Sequence, residues 1–484
     1  MLEQTSGYEV VIGLEVHAQL QTRSKLFCGD GTSYGTPPNT AISPITLGHP
    51  GTLPRMNSKA VEHAIRMGLV CHCDISHYNY FARKNYFYPD LPKGYQVSQH
   101  TTPICNNGFV KIKAAGKEKK VSLTRIHMEE DAGKSMHDEG GDVTLLDYNR
   151  AGTPLIEIVT EPVMNTAEEA SAFLTEIRKL VRWIGACDGN MEEGSLRCDA
   201  NISVRKKGEA KLGTKVEVKN LNSIRNLRKA IEFESARLID ILKNDGKVDQ
   251  ETRSFNADDD TTFSIRTKED ADDYRYFPEP DLSPFSFTQE YINELRAGLP
   301  ALPEELFQKY TAEYGLPEYD AGILSDDKTL SDYFEKAVRG TKYYKGVANL
   351  LLGPVKSWLN DSTKDWSELQ VDPAVWPKLV ELIDSGKLSF SLAAQKLVPQ
   401  LIEQNHADPV QLAKAMNLFQ DANASDIQNW VEEVLNRMPE KVSEFKKGKK
   451  GLLGMFMGEV KKISKGKADP KITNDLLLEK LNQP

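Results

Sequence analysis

The sequence predicts an α+β protein: a mixed, largely antiparallel-sheet domain, then an all-helical domain, then a small helical tail. Three observations carry this. Up to about residue 290 the chain reads as short extended runs broken by Gly, Pro and Asn, with a few helices between them. Beyond Pro280, Pro284, Pro300 and Pro303 the texture turns to helical periods, as in Leu379, Val380, Leu382, Ile383 and then Leu392, Ala393, Leu397. After about residue 405 a basic segment, Lys446 to Lys467, sits between Trp430-Val431 and Leu476-Leu477-Leu478. The expected domains are therefore residues 1–292, 293–405 and 406–484. A chain of 484 residues exceeds what one hydrophobic core usually organises, and a 39% hydrophobic fraction can fill several.

In the first run, Val10 to Leu20, residues alternate from Leu14 onward. Val16, Ala18 and Leu20 take one face, Glu15, His17 and Gln19 the other. Side chains two apart on a strand lie roughly 6–7 Å apart, close enough to reach one metal or one substrate. The competing reading is a solvated strand face. His127-Met128-Glu129-Glu130-Asp131 sets carboxylates beside a histidine, oxygen ligands of the kind that suit a hard cation such as Mg2+, although acidic triplets are also ordinary solvated loops. Glu157 lies inside the apolar run Leu155-Ile156-Glu157-Ile158-Val159, where an ionised carboxylate needs a cation or several donors; a metal ion would supply one.

After Asn165 comes the clearest helix. Thr166 and Glu169 have capping-box spacing, Ala170, Phe173, Leu174, Ile177, Leu180, Val181 and Ile184 form one stripe, and Gly185 stops it. Polar alternation returns at Arg197, Asp199, Asn201, Ser203 and Arg205, and again at Lys215, Glu217 and Lys219. In the tail, Lys446, Lys447, Lys449 and Lys450 on one side and Lys461, Lys462, Lys465 and Lys467 on the other flank the apolar stretch Leu452 to Met457. Two basic edges around a compact element suit folded RNA recognised by shape; a merely soluble surface is the alternative.

Several classes are disfavoured. The first residues show no basic run before an apolar stretch, and no apolar run is long enough to cross a bilayer, so a cytoplasmic protein without membrane association is expected. Six scattered cysteines fit a reducing compartment and small core residues. A net charge of -9 argues against a general nucleic-acid coat. Gly133-Lys134-Ser135 lacks the first glycine of a P-loop, because Met128 stands there. Neither an H-E-x-x-H helix nor a G-x-S-x-G elbow occurs. Cys71-His72-Cys73 finds no second ligand pair, so a zinc site there is not expected.

Six long strings in one order resemble the B subunit of the tRNA-dependent amidotransferases: Ile12 to His17, Arg83 to Asp90, His127 to Lys134, Asn149 to Glu157, Glu192 to Asn201 and Asp273 to Asp281. Gly466-Lys467-Ala468-Asp469-Pro470 is similar to that family's YqeY-like tail. The resemblance implies a cradle-shaped catalytic domain and a heterotrimer with an amidase A subunit and a short C subunit. It implies that ATP and Mg2+ are used to phosphorylate the side-chain carboxylate of a misacylated tRNA, Glu-tRNA(Gln) or Asp-tRNA(Asn), before ammonia channelled from A displaces phosphate. Carried over by position, it implies a metal set of His17, Glu130 and Glu157, with Glu15 bridging or just behind. Arg197, Asp199, Lys215 and Lys219 are expected at phosphate or carboxylate groups, and Lys84, Asn85, Tyr86, Lys93 and Tyr95 around the acceptor end. Many relatives carry a four-cysteine zinc site near the N-terminus. Here Cys28-Gly29-Asp30 keeps one cysteine and Ser43 to Thr46 has none, so no structural zinc is expected and packing alone should hold that region. The rival readings are a catalytically silent tRNA-binding scaffold and a free-standing metal-dependent hydrolase.

Overall fold

The computed structural model describes residues 7–136, 143–267, 274–405, 407–419, 424–464 and 467–482. Two compact units divide the chain, Met1–Pro300 and Ala301–Pro484, and the order of sheet followed by helices is the α+β arrangement expected.

The first unit is organised around strand Tyr8–Gln19. Its β-branched start favours an extended chain, and both of its edges are paired antiparallel, one with Pro154–Thr160 and the other with Leu196–Lys206. Outward from Pro154–Thr160 the sheet continues through Lys117–Glu130, Tyr95–Ser98 and Ala82–Asn85 to Phe277–Pro278. On the other side Val216–Lys219 runs antiparallel to Leu196–Lys206. Glu251–Asn256 lies parallel to Val216–Lys219, and Thr261–Thr267 closes the edge. Register decides what the sheet can do. His127 faces Glu157, Glu157 faces His17 and His17 faces Arg197, while Glu15 faces Asp199. Directly opposed residues share a face, so these polar side chains form one row across four strands.

The alternate residues Val16, Ala18, Leu20, Cys198 and Ala200 are buried, and helices Ala167–Trp183 and Ile224–Lys243 pack against this unit's strands. The first of these helices begins as its sequence predicts: Thr166 accepts from the Glu169 amide. The returning Glu169 carboxylate takes the Asn165 amide at 2.8 Å instead of the cap residue's own. The whole predicted stripe is buried, and Gly185 leaves the helix at φ +66°, a left-handed conformation that suits glycine.

Around Cys28 the expectation of packing alone is corrected. Cys28 Sγ lies 3.3 Å from both Asp30 Oδ2 and Thr46 Oγ1, and Thr46 donates to Asp30 at 2.5 Å. Short polar side chains satisfy one another there, and the buried Lys25 ammonium donates to the Ala41 carbonyl beside them at 2.8 Å. The other five cysteines are buried and unpaired, as small core residues should be.

Helices make up the second unit. Tyr310, Phe334 and Trp376 fill its first part, where the Trp376 indole donates to Tyr333 Oη at 2.7 Å and Tyr333 donates onward to the Val371 carbonyl at 2.9 Å. Leu351–Val355 widens into a π turn around Pro354, whose ring and missing N–H are incompatible with regular helical bonding. The tail has its own core of Ile427, Val431, Phe445, Phe456, Val460 and Leu477. Of its lysines, Lys446, Lys447, Lys449, Lys450 and Lys461 are exposed. Lys449 pairs with Glu444 at 3.1 Å, Lys450 lies 4.3 Å above the Phe445 ring, Lys461 donates to Ser391 and Lys467 to Asn417. Lys465 lies outside the described residues, as do Gly466 and Asp273 of the quoted strings. Among the described residues no helix is long and apolar enough to cross a membrane.

Candidate active site

The polar row brings two groups of potential cation ligands together. In the first, His17 Nε2 lies 3.5 Å from Glu157 Oε2 and 3.6 Å from Glu129 Oε1. His127 Nε2 stands behind them, 3.2 Å from Glu157 and 3.8 Å from Glu129, and its Nδ1 lies 3.3 Å from Arg125 Nε. In the second, Glu15, Asp199 and Glu217 converge. Asn201 donates to Glu15 at 2.9 Å and Thr252 to Glu217 at 2.8 Å, while Lys219 Nζ sits 2.6 Å from Asp199 and 3.2 Å from Glu217. Within each set of three, His17–Glu129–Glu157 and Glu15–Asp199–Glu217, the ligand atoms lie within 4.8 Å of one another.

Electrostatics follow from this crowding. Burial works against ionisation of Glu157, but the His127 and His17 imidazoles outweigh it and hold the carboxyl well below the usual range. Burial likewise opposes charge on His127, and Glu157 and Glu129 reverse that, pushing it up to about 9. His17 is raised in the same way: burial lowers it and contact with Glu157 and Glu129 more than compensates. The cation that the apolar run around Glu157 calls for is therefore supplied by two imidazoles. Lys219 is held firmly protonated, since Asp199 and Glu217 more than offset the cost of its burial. Carboxylate oxygens with one imidazole fit a hard divalent ion that keeps part of its water shell.

Both groups open into one cavity of about 690 Å³. Of the residues singled out in the sequence, Glu15, His17, Glu157, Asp199, Lys84, Asn85, Tyr86, Lys215 and Lys219 line it. Others do not reach it. Glu130 points through the opposite face of the sheet, because along Lys117–Glu130 it alternates with Glu129; there it accepts Lys93 Nζ at 2.5 and 2.6 Å and the Val97 amide at 2.9 Å. Lys93 and Tyr95 share that face and, with Glu130, line a separate cavity of about 220 Å³. Arg197 stands opposite His17, yet its guanidinium is turned to Asp131, 3.0 Å away, and does not line the cavity. The sequence reading named Glu129 in the acidic cluster and Glu217 in the polar alternation but put neither in the metal set, met Tyr274 and Tyr276 only inside a quoted string, and left His127 without a role. For Glu129 the signal was present: the period of two places it with His127, not Glu130.

Comparison with known proteins covers most of the chain. Residues 10–293 match the GatB/GatE catalytic domain and residues 332–481 the GatB domain. The chain is similar to proteins described as the B subunit of aspartyl/glutamyl-tRNA(Asn/Gln) amidotransferase. It is 44% identical to that of Thermodesulfovibrio yellowstonii, over 98% of this chain and 100% of the relative. It is 46% identical to that of Bdellovibrio bacteriovorus, over 98% of this chain and 99% of the relative.

Proposed function

The chain belongs to the GatB family, the B subunits of tRNA-dependent amidotransferases, and from that membership we propose that its cavity carries the ATP-dependent half of the reaction. It works in a cytoplasmic heterotrimer with an amidase A subunit and a short C subunit. The substrate is the side-chain carboxylate of Glu-tRNA(Gln) or Asp-tRNA(Asn). A carboxylate oxygen attacks the γ-phosphorus of ATP and ADP leaves. Ammonia channelled from the amidase subunit then attacks the acyl carbon of the mixed anhydride, phosphate departs and the amide remains.

The observation that carries this reading is the meeting, in one cavity, of two carboxylate-rich groups with two lysines that no carboxylate pairs with among the described residues, Lys84 and Lys215. Triphosphate transfer needs this mixture, since catalysis is mainly positioning and charge neutralisation. His17, Glu129 and Glu157 would hold one Mg2+, and Glu15, Asp199 and Glu217 offer a second acidic group. When bound, Mg2+ supplies neutralisation of the phosphate oxygens. Lys84 and Lys215 hold phosphate charge directly, Lys219 restrains Asp199 and Glu217, and Arg125 and His127 keep Glu157 and Glu129 aimed. Glu130 and Lys93 belong to this reading as the pair lining the cavity on the far face of the same strand. The residues 1–292 form its catalytic part, 293–405 and 406–484 its helical and tail parts, and the tail lysines, Lys465 included, contact tRNA phosphates. Structural zinc has no place in it.

The test is phosphate release from ATP by the reconstituted three-subunit complex with Glu-tRNA(Gln), comparing the wild type with Glu129→Gln and Glu157→Gln. Loss of ATP turnover and amidation with tRNA binding intact supports the kinase role. Unchanged turnover makes this subunit a scaffold instead.

A further inference from the structure

The cavity wall that carries Glu217 is built unlike the rest of the sheet. Strands Val216–Lys219 and Glu251–Asn256 are the one parallel pair among the described residues, and helix Ile224–Lys243 makes the crossover between them. This register puts Thr252 beside Glu217, where its hydroxyl donates to Glu217 Oε2 at 2.8 Å. Lys219 Nζ lies 3.2 Å from the other oxygen, Oε1, so groups on both sides fix the rotation of this carboxylate. Thr252 is almost wholly buried, and both it and Glu217 line the cavity.

Behind this wall, on the helix side, lie four charged groups that do not line the cavity. Glu234 of the helix is fully buried and takes Arg237 at 2.7 Å and Arg253 at 3.0 Å; Glu251 takes the same two guanidinium groups, each at 3.0 Å. Glu251 and Arg253 flank Thr252 in the strand, so alternation sends them to the helix and Thr252 to the cavity. Arg253 also donates to the Thr262 carbonyl and hydroxyl, both at 2.8 Å, and Thr262 donates to Glu234. A bulge completes the wall: Thr252 faces Arg266 but Arg253 faces Ser264, so Ile265 is an extra residue, and it lines the cavity. Bulges beside a site re-aim the side chains around them.

The network does more than attach helix to strand. An apolar contact of the same volume would hold the two as firmly, since desolvation cancels much of the gain from a buried ion pair. Charged groups with directed bonds instead admit one lengthwise setting of the strand. A slip by one residue would turn Thr252 away from Glu217 and bring a charged neighbour to the cavity face. We propose that Glu234 and Arg253 are positioning residues for the reaction: from behind the sheet they hold strand Glu251–Asn256 in the setting at which the Thr252 hydroxyl aims Glu217 at a cation. This rests on the reading above, in which Glu15, Asp199 and Glu217 hold a cation. Neither Glu234 nor Arg253 lines the cavity; each acts through Thr252.

The experiment titrates Mn2+ into the three-subunit complex by calorimetry, where two ions are expected, one weakened in Glu129→Gln and the other in Glu217→Gln. Thr252→Val keeps the shape of the side chain without its hydroxyl. It should weaken the Glu217-dependent ion by about 10- to 100-fold, and Thr252→Ser should restore it. Glu234→Gln should weaken the same ion by roughly 2- to 30-fold. Glu251 still serves both arginines in that variant, so the fold is kept. Glu234→Leu combined with Arg253→Met leaves Arg237 paired with Glu251 and should act in the same direction. In each of them the Glu129-dependent ion should bind as in the wild type. Equal weakening of both ions means a loosened fold and overturns the proposal. So does a Glu217-dependent ion held as tightly as in the wild type, whether in Thr252→Val or in both Glu234 variants. If Glu217→Gln weakens no ion, the cation role of the second acidic group falls and this proposal falls with it. The kinase reading is decided separately, by Glu129→Gln and Glu157→Gln.

Discussion

Glu129 and Glu130 are neighbours in the chain and serve opposite faces of the sheet. Glu129 lies 3.6 Å from His17 in the cation group, whereas Glu130 takes Lys93 at 2.5 Å behind it. One residue of register separates the proposed ligand from an ion pair on the other face. Glu129→Gln is therefore expected to weaken Mn2+ or Mg2+ binding by at least about tenfold, while Glu130→Gln keeps it within about threefold of wild type. Glu130→Gln leaves the largely buried Lys93 facing a neutral amide and lowers stability by about 2–4 kcal/mol. Calorimetric metal titration and denaturant unfolding separate the two effects. Equal loss of metal binding in both variants refutes the assignment of faces.

The imidazoles give cation binding a pH dependence of fixed sign. Without metal, His127 is raised to about 9 and His17 is raised above its ordinary value. Their contacts with Glu157 and Glu129 contribute stability that is fully present below ~6.5, the unfolded imidazole value. That stability is lost as pH rises through the folded values, about 9 for His127. His17 must shed its proton to bind a cation. Mg2+ should thus raise the melting temperature little near pH ~6 and progressively more toward pH ~8.5. An equal Mg2+ shift at both pH values is the result that sinks this account.

Much of this architecture was legible in the residues because it follows from short-range rules. The alternation from Leu14 to Leu20, the capped helix after Thr166 and the isolated carboxylate at Glu157 each found the place their pattern predicts. Long-range register was not legible. Nothing local says that Glu217 comes beside Glu15 and Asp199, or that the segment carrying Tyr274 and Tyr276 folds back along Ala82–Asn85 to close the cavity. Assigning Glu130 to the metal set transferred a position from a resemblance without applying the period of the strand that bears it. Arg197 shows the converse limit: its face was readable, its partner Asp131 was not.

Asp131 predicts a distinctive acid sensitivity. Burial raises a carboxyl, but Arg197 at 3.0 Å and Arg150 at 3.6 Å more than compensate, so Asp131 is held below its ordinary value. A depressed carboxyl contributes stability that is present above the unfolded value, ~3.9, and is lost as pH falls through the folded one. Asp131→Asn should cost about 2–4 kcal/mol at neutral pH. Its unfolding free energy should also fall less steeply than that of the wild type below pH ~4. Parallel curves for the two proteins across that range contradict the argument.

The knot at Cys28 sets the last expectation. Its donor set is one thiol, one carboxylate and the Thr46 hydroxyl, and Asp30 is held below its ordinary value because the bonds from Thr46 and Cys28, with the nearby Lys25 charge, outweigh its partial burial. Cys28 is pushed the other way: burial raises its thiol, so it stays protonated and makes a poor zinc ligand. Hydrogen bonding is then expected to hold the turn without metal. Thr46→Val keeps the shape of the side chain but removes the donor to Asp30 and the contact to Cys28, a loss of about 1–3 kcal/mol. Adding a zinc-selective chelator at constant Mg2+ should change the melting temperature of neither wild type nor variant. A chelator-sensitive wild type, or stoichiometric zinc in the purified protein, shows that a metal closes this turn after all. A Thr46→Val variant as stable as wild type shows that packing alone does.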